Sequence, residues 1–487
     1  MTQVETADVL YQQIAASIAT PIRAGTLARG MRLPSVRELA RSRRVSIGTV
    51  LQAYRTLEDA HLIEARPKSG YYVSQRPASL PEPAASNPPP ESLAVDVTSL
   101  AARIMHLAHE PGFISFGAAF LGTELFSEEK VRRAVSRAVQ RHRVSLSEYT
   151  TGYGDASLQR AIAQHAVRFG CQLDPSDIII TNSCLESITL CLRAVTSPGD
   201  VVALESPTLF AFLEILEYLH LRALEIPTHP RTGFSLDALQ FALDTQPVKA
   251  VLAVPTFSNP IGSTIPASDR RRLATMMAER GIPLIEDVTN NDLAELDEQR
   301  YAVRSYDTSG QVMLCGSFSK TIAPGLRLGW VDAGSRVSDL IRMKEATSGS
   351  QTVVLERALA DLLRQSGIEA GFRQIRATIA TRVDEVRSLI ASHFPAGSRV
   401  TDPPGGFVLW IELPAGIDAL ELAQACLAEK IIICPGKMFS ASNHFSHCVR
   451  LGLGGRWDET HRNAVRRIGE LAKSLAHGAP SLKAGGT

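Results

Sequence analysis

With 487 residues the chain exceeds one ordinary domain, and 45% hydrophobic against 21% charged residues is the composition of a globular protein with about two or three cores. No run of about 18 apolar residues is present, so the sequence offers no candidate membrane-spanning helix. The formal net charge of +1 hides an asymmetry: residues 1–74 carry ten Lys/Arg against six Asp/Glu and the remainder 41 against 44, which concentrates basic charge at the front, as in a nucleic-acid-binding module attached to a neutral body.

The opening M-T-Q-V-E-T-A-D lacks the basic-then-apolar pattern of a secretory signal, and the seven cysteines include no C-x-x-C pair. A reduced, cytoplasmic protein is expected. Apolar residues recur at helical spacing from Val9 to Ala24 (Val9, Ile14, Ile18, Ile22). Ser35 is placed to cap a second helix over Val36–Ser42, and Ser46 a third over Ile47–Ala60, with Leu39, Val50, Tyr54 and Leu57 as core positions. L-I-E-A-R-P-K-S-G-Y-Y-V then alternates like two short strands around a turn at Pro67–Gly70. Three helices and a β-wing make a winged helix-turn-helix, whose third helix enters the major groove while the wing grips the flank.

The motifs G-x-x-L-P-S-V-R-E-L-A, V-S-x-x-T-V-x-x-A-Y-x-x-L-E and S-G-Y-Y-V resemble the GntR family of bacterial regulators over residues 9–74. The resemblance implies a double-stranded operator as partner. It places Arg37 and Lys68 on phosphates, Ser46 and Thr49 facing the duplex at the helix start, and Gln52 or Arg55 on bases or backbone. Ser35 at the second cap and Gly70 in the wing are counted with them.

From Gln75 to Glu91 the chain holds six prolines and a single leucine, which predicts an extended spacer over about 75–95, rising roughly 3 Å per residue. Beyond it, Ile178–Thr181, Val201–Leu204, Ala250–Val254, Pro283–Glu286 and Gln311–Cys315 are short, largely apolar runs separated by helical stretches. They predict an α/β body with a mostly parallel sheet covered on both faces.

Ligands in such sheets bind beyond the carboxyl ends of the strands, and those ends are polar here. After the first strand, Ser183, Cys184 and Leu185 offer backbone N–H groups at a helix amino end, a phosphate cradle. After the third, Asn259 can donate to a phenolic oxygen. After the fourth, Asp287 can pair with a protonated pyridine nitrogen. After the fifth, Ser317 and Arg327 flank Lys320 as phosphate-type ligands, so that the amine can hold an aldehyde whose own phosphate is gripped nearby. That is the chemistry of pyridoxal 5'-phosphate (PLP).

This constellation, with Y-x-x-x-x-G at Tyr149–Gly154, E-S-P-T at Glu205–Thr208 and the late Arg450, resembles the fold-type I aminotransferases over about residues 96–475, a mostly parallel α/β domain with a small C-terminal α+β subdomain. The resemblance implies that Lys320 forms the internal aldimine, Asp287 holds the ring nitrogen, Asn259 binds the ring hydroxyl, Arg450 takes a substrate or effector carboxylate, and Tyr149 reaches a phosphate across a homodimer interface.

A GntR-like head (1–74), a proline-rich linker (75–95), an aminotransferase-like body (96–475) and a disordered tail (476–487) together resemble the MocR subgroup of transcription regulators. The implied function is a PLP-dependent DNA-binding regulator that senses PLP or an amino-acid-like effector. The alternative is a working aminotransferase that carries a DNA-binding head.

Three departures bear on turnover. Leu209 stands where the family commonly has an aromatic that stacks on the cofactor ring, with Phe210 and Phe212 nearby as substitutes. Asn290 replaces the tyrosine of D-x-x-Y, and an amide cannot ionise to tune the lysine. Glu186 adds a negative charge beside the phosphate cradle. PLP binding with slow or absent transamination is expected. No metal site is predicted: His444 and His447 near Cys448 lack the spacing of a zinc site, and His106 and His109 read as a polar helix face. Gly452–Arg456 does not have the spacing of a dinucleotide fingerprint.

Overall fold

The structure is a computed structural model that describes residues 4–476 apart from 24–26, 28–30, 60–61, 67–68, 74–79, 96–103, 105, 109, 142–149, 366 and 443. Lys68, His109, Tyr149 and the tail from 477 onward therefore lie outside the described residues. The chain divides into two compact units, residues 1–80 and 81–487.

In the first unit, helices α1 (Val4–Arg23), α2 (Val36–Arg43) and α3 (Ile47–Asp59) precede the antiparallel hairpin of β1 (Ile63–Arg66) and β2 (Gly70–Val73). Both caps read from the sequence are present. The Ser35 hydroxyl accepts from the Glu38 N–H at 3.2 Å, with the Glu38 carboxylate returning to the Ser35 N–H, and the Ser46 hydroxyl accepts from the Thr49 N–H at 3.0 Å. Leu39, Val50, Tyr54 and Leu57 are buried, and the Tyr54 hydroxyl donates to the Pro34 carbonyl at 2.7 Å. The segment before α2 also joins the wing, because Leu33 and Val73 donate to the Tyr71 and Met31 carbonyls at 2.8 Å each.

The second unit begins inside the segment expected to be a spacer. Residues 81–94 are extended, yet they lie bonded along the body. Proline lacks an N–H but keeps its carbonyl: Pro81 accepts from the Val400 N–H at 3.0 Å, and Pro90 from the Gln246 amide. Glu82 pairs with Arg231 and accepts from the Asp402 N–H at 2.9 Å, while the Ser86 hydroxyl accepts from the Thr228 N–H at 2.7 Å. Strand β3 (Leu93–Ala94) then adds antiparallel to a sheet edge. Of the spacer expected over 75–95, residues 81–94 thus belong to the second unit, and 75–79 lie outside the described residues.

The main sheet is built from β3, β4 (Ile178–Thr181), β5 (Val201–Ser206), β6 (Arg222–His229), β7 (Val248–Ala253), β8 (Leu284–Asp287), β9 (Val312–Ser317) and β10 (Gly329–Asp332). The spatial order is β3-β6-β5-β7-β8-β9-β10-β4, with Gly233–Phe234 also paired to β6. From β6 to β9 all neighbours are parallel, and β10 inserts antiparallel between β9 and β4. Alternate residues feed opposite cores. Val202, Leu204 and Ile285 pack with helices α4 (Cys184–Val195) and α5 (Phe210–Tyr218), and Val201, Ala203 and Leu284 with helices 236–245 and 267–280. Burial on both faces is why these strands read as continuous apolar runs. A smaller antiparallel sheet, β11 (Arg399–Val400), β12 (Val408–Glu412), β13 (Cys434–Pro435) and β14 (Cys448–Gly452), runs in the order β11-β12-β14-β13 and forms the C-terminal subdomain with helices 368–393 and 459–476.

Candidate functional site

A cavity of about 330 Å³ lies in the body beyond the carboxyl ends of the parallel strands, and Asn259, Asp287, Lys320 and Arg450 all line it. The connections after β7 and β9 deliver Asn259 and Lys320, the end of β8 delivers Asp287, and β14 of the small sheet delivers Arg450.

Lys320 donates its Nζ hydrogen to the Ala119 carbonyl and stands 5.6 Å from the centre of the Phe407 ring. Burial first, and then the Arg450 charge, hold the amine down to about 8, against the opposing pull of Asp287. Asp287 is 8% exposed and accepts from the Thr289 N–H at 2.8 Å. Burial pushes its carboxyl up, and the bonds from Thr289 and the Cys184 thiol, with the Lys320 charge, oppose that shift. A buried carboxylate that gains a cationic partner would recover its charged form, which suits it to a protonated pyridine nitrogen.

Arg450 is 1% exposed. It donates to the Gly117 carbonyl, to the Cys434 sulfur at 3.2 Å and to the side-chain oxygen of Asn259 at 3.2 Å, but its Nε has no partner. Among the described residues no carboxylate pairs with it. A buried guanidinium with a free donor beside a cavity calls for a planar anion. Because the Asn259 oxygen is taken, the Nδ2 donor of that amide is left for a ligand oxygen.

The phosphate end is set by one close approach. Ser317 pairs with Gly329 across the β9–β10 ladder, and a Cβ at Gly329 would stand 2.7 Å from the Cys184 nitrogen and closer still to the Ser183 carbonyl carbon. The hairpin carrying Ser317, Lys320 and Arg327 therefore rests backbone to backbone on the start of α4. The first N–H groups of that helix, at Cys184 and Leu185, are the ones a helix leaves unsatisfied, and Ser183 caps it by accepting from the Glu186 N–H at 3.3 Å. Arg327, in the left-handed region at φ 53°, is exposed and pairs with no carboxylate among the described residues. The Glu186 carboxylate folds back to accept from the Asn182 N–H and the Ser348 hydroxyl, so it serves its own loop.

Of the two departures on the ring side, Asn290 donates to the Phe257 carbonyl at 2.9 Å and so braces the turn that carries Asn259. Leu209 lines the cavity. Phe210 and Phe212 line it as well, while Phe210 also meets Phe439 edge-on at 5.9 Å and Phe212 packs into the core beneath α5. Sequence reasoning missed Ala119 and Gly117, which hold Lys320 and Arg450 through backbone carbonyls more than 200 residues away, and Cys434, whose sulfur meets Arg450 from the neighbouring strand β13.

In the first unit Ser35, Arg37, Ser46, Gln52, Arg55 and Gly70 are exposed and Thr49 is half-buried, its hydroxyl 2.8 Å from that of Ser46. The structure adds Arg32, whose guanidinium lies 3.8 Å from where a Cβ on Gly70 would sit, and Ile47, 52% exposed at the start of α3. Among the described residues no group of three or more His, Cys, Asp and Glu could hold a metal.

A DNA-binding winged helix and a PLP-type aminotransferase fold therefore occur in one chain. Residues 121–468 match the class I and II aminotransferase family, and residues 10–73 the gntR family of bacterial regulatory proteins. The chain is 34% identical to an uncharacterized HTH-type transcriptional regulator of Escherichia coli K12, YjiR, over 94% of its own length and 98% of that protein. To a second such E. coli regulator, YdcR, it is 32% identical over 95% and 98%. The crystal structure of LysN, the α-aminoadipate aminotransferase of Thermus thermophilus complexed with N-(5'-phosphopyridoxyl)-L-leucine, superposes with a TM-score of 0.70 at 25% identity, covering 77% of this chain and 97% of LysN. The chain belongs to the class I and II aminotransferase family over its body and carries a GntR head, the architecture of the MocR-type regulators. PLP is the cofactor of this fold, and the depressed amine, the buried acid, the unpaired Arg327 and the free N–H groups of α4 fit it.

Proposed function

We propose that the protein is a cytoplasmic, homodimeric, DNA-binding transcription regulator whose response to PLP and to an amino-acid-like effector is set in the body. The observation that carries this reading is the buried Arg450 with its free Nε, in one cavity with Lys320 and Asp287 and in one chain with a winged helix. Lys320 would hold the cofactor covalently, Asp287 its ring nitrogen and Asn259 its ring oxygen. The N–H groups of Ser183, Cys184 and Leu185, with Ser317 and Arg327, would hold its phosphate, joined by Tyr149 from the second copy. Bound PLP supplies an electrophilic carbon and an electron-withdrawing ring. Arg450 orients an incoming carboxylate, and the apolar walls of Phe257 and Phe407 keep water from it. On the DNA, Arg37 and Lys68 neutralise phosphates while Gln52 and Arg55 lie over the groove.

The ligand changes DNA binding only if it binds two conformations of the body unequally. Leu209 and Asn290 favour this role over rapid transamination. The test is anisotropy titration of the DNA upstream of the protein's own gene at one fixed salt concentration, with protein stripped of PLP and then reconstituted. Binding roughly a thousandfold tighter than to scrambled DNA, and altered by PLP, is expected. Equal affinity for both DNAs in both states would refute the regulator reading at that site.

A further inference from the structure

The charged side chains that line the cavity are four: Lys320 and Arg450, Asp287 and Glu214. With Lys320 and Asp287 committed to the cofactor and Arg450 to one carboxylate, the only charge left in the described wall is the acidic Glu214, half-buried one turn along α5 from Phe210 and without an ion-pair partner among the described residues. The remaining wall includes Leu209, Val254, Phe257, Phe407 and Val408. A second carboxylate on the ligand would meet no cation there and would face Glu214, and burying it unpaired is costly. A distal amine would have to shed its water against the aromatic walls of Phe257 and Phe407 before it met Glu214.

We infer that the effector is an α-amino acid with an uncharged, apolar side chain, and that Glu214 excludes dicarboxylic amino acids. The inference rests on the proposed PLP and effector site. Its test is titration of the PLP-loaded full-length protein with L-leucine, L-phenylalanine, L-glutamate and L-lysine, followed by the visible absorbance of the cofactor and by thermal shift. Leucine or phenylalanine should half-saturate at a concentration roughly tenfold or more below that of glutamate and lysine. Glu214→Gln should narrow the gap between leucine and glutamate several-fold. Glutamate or lysine saturating first, or a ratio unmoved in E214Q, would overturn the inference. Protein that binds PLP but answers no amino acid would overturn the effector reading together with it, whereas protein that binds no PLP would overturn the cofactor reading itself.

A different observation concerns Glu225, which is 3% exposed on β6. Its carboxylate accepts from the Ser206 hydroxyl at 2.9 Å, the Ser440 hydroxyl at 2.9 Å and the Ala441 N–H at 2.6 Å. The Ser206 carbonyl in turn accepts from the Ser86 hydroxyl. One buried acid thus joins the strap of residues 81–94, the end of β5 at Ser206 just before Leu209, and the loop at Ser440–Ala441 that precedes β14 and Arg450. The geometry points to Glu225 as a positioning residue through which events at the cavity reach the segment that continues into the head.

Hydrogen exchange of the full-length protein, stripped of and loaded with PLP, tests this. Loading should change exchange at the Ser86 and Thr228 amides several-fold, and Ser86→Ala should keep PLP binding while losing most of the PLP-dependent change in DNA affinity. Unchanged exchange across residues 81–94, or an S86A variant that responds as the natural protein does, would overturn it.

Discussion

Arg450 on β14 donates to the side-chain oxygen of Asn259 across 3.2 Å, so the group expected to meet a ligand carboxylate is tied to the one expected to meet the cofactor's ring oxygen. Replacing Arg450 with Gln removes the charge while keeping an amide donor. We expect L-leucine affinity to fall by roughly a hundredfold, within the range of about 2–5 kcal/mol for a lost buried charge partner. Discrimination between leucine and leucinamide should vanish, with most PLP retained. Arg450→Lys should rescue little, because a point charge cannot replace the planar fork. Titration of the loaded protein with both ligands checks this.

Lys320, held at about 8, must be neutral to attack an aldehyde. The rate at which stripped protein takes up PLP should therefore rise with pH up to about 8 and level off above it, falling about tenfold per unit well below. Stopped-flow absorbance across pH 6 to 10 reads this directly. A rate still climbing steeply to pH 10 would mean an amine at its ordinary value near 10.4.

The approach of Gly329 to Ser183 and Cys184 leaves no room for a methyl group against backbone that cannot swing aside. Gly329→Ala should destabilise the body by about 1–3 kcal/mol and weaken PLP retention. Gly325→Ala, where a Cβ meets open space, should be close to neutral. Thermal melts of the two variants with and without PLP separate the effects.

In the head, Arg37→Ala should weaken binding to specific and scrambled DNA alike and lower the slope of log affinity against log salt by about 1. Gln52→Ala should instead change which bases are preferred. Anisotropy over a series of salt concentrations distinguishes them.

Transaminase turnover should lie well below roughly 1 per second, since Leu209 offers no stacking ring and Asn290 is spent on the Phe257 carbonyl. A coupled keto-acid assay measures it, and Asn290→Tyr with Leu209→Tyr is the variant expected to raise it.

The strand ends were readable because the apolar runs give way to polar residues at or just past their carboxyl ends, and Asn259, Asp287 and Lys320 do line one cavity. The caps at Ser35 and Ser46 were readable for the same local reason. What escaped was long-range and carried by backbone. Prolines 81 to 90 read as a spacer because proline denies donors, yet their carbonyls, with Glu82 and Ser86, bind the body. Arg32 beside Gly70 and Gly117 beneath Arg450 are likewise neighbours only in space.

The most direct measurement is operator anisotropy with the natural protein and Lys320→Ala side by side, each stripped of PLP and then titrated with it at fixed salt. If the cavity governs the head, PLP shifts operator affinity of the natural protein several-fold and leaves K320A unmoved, while both bind equally well when stripped. An identical PLP response in both proteins, or none in either, would contradict that control.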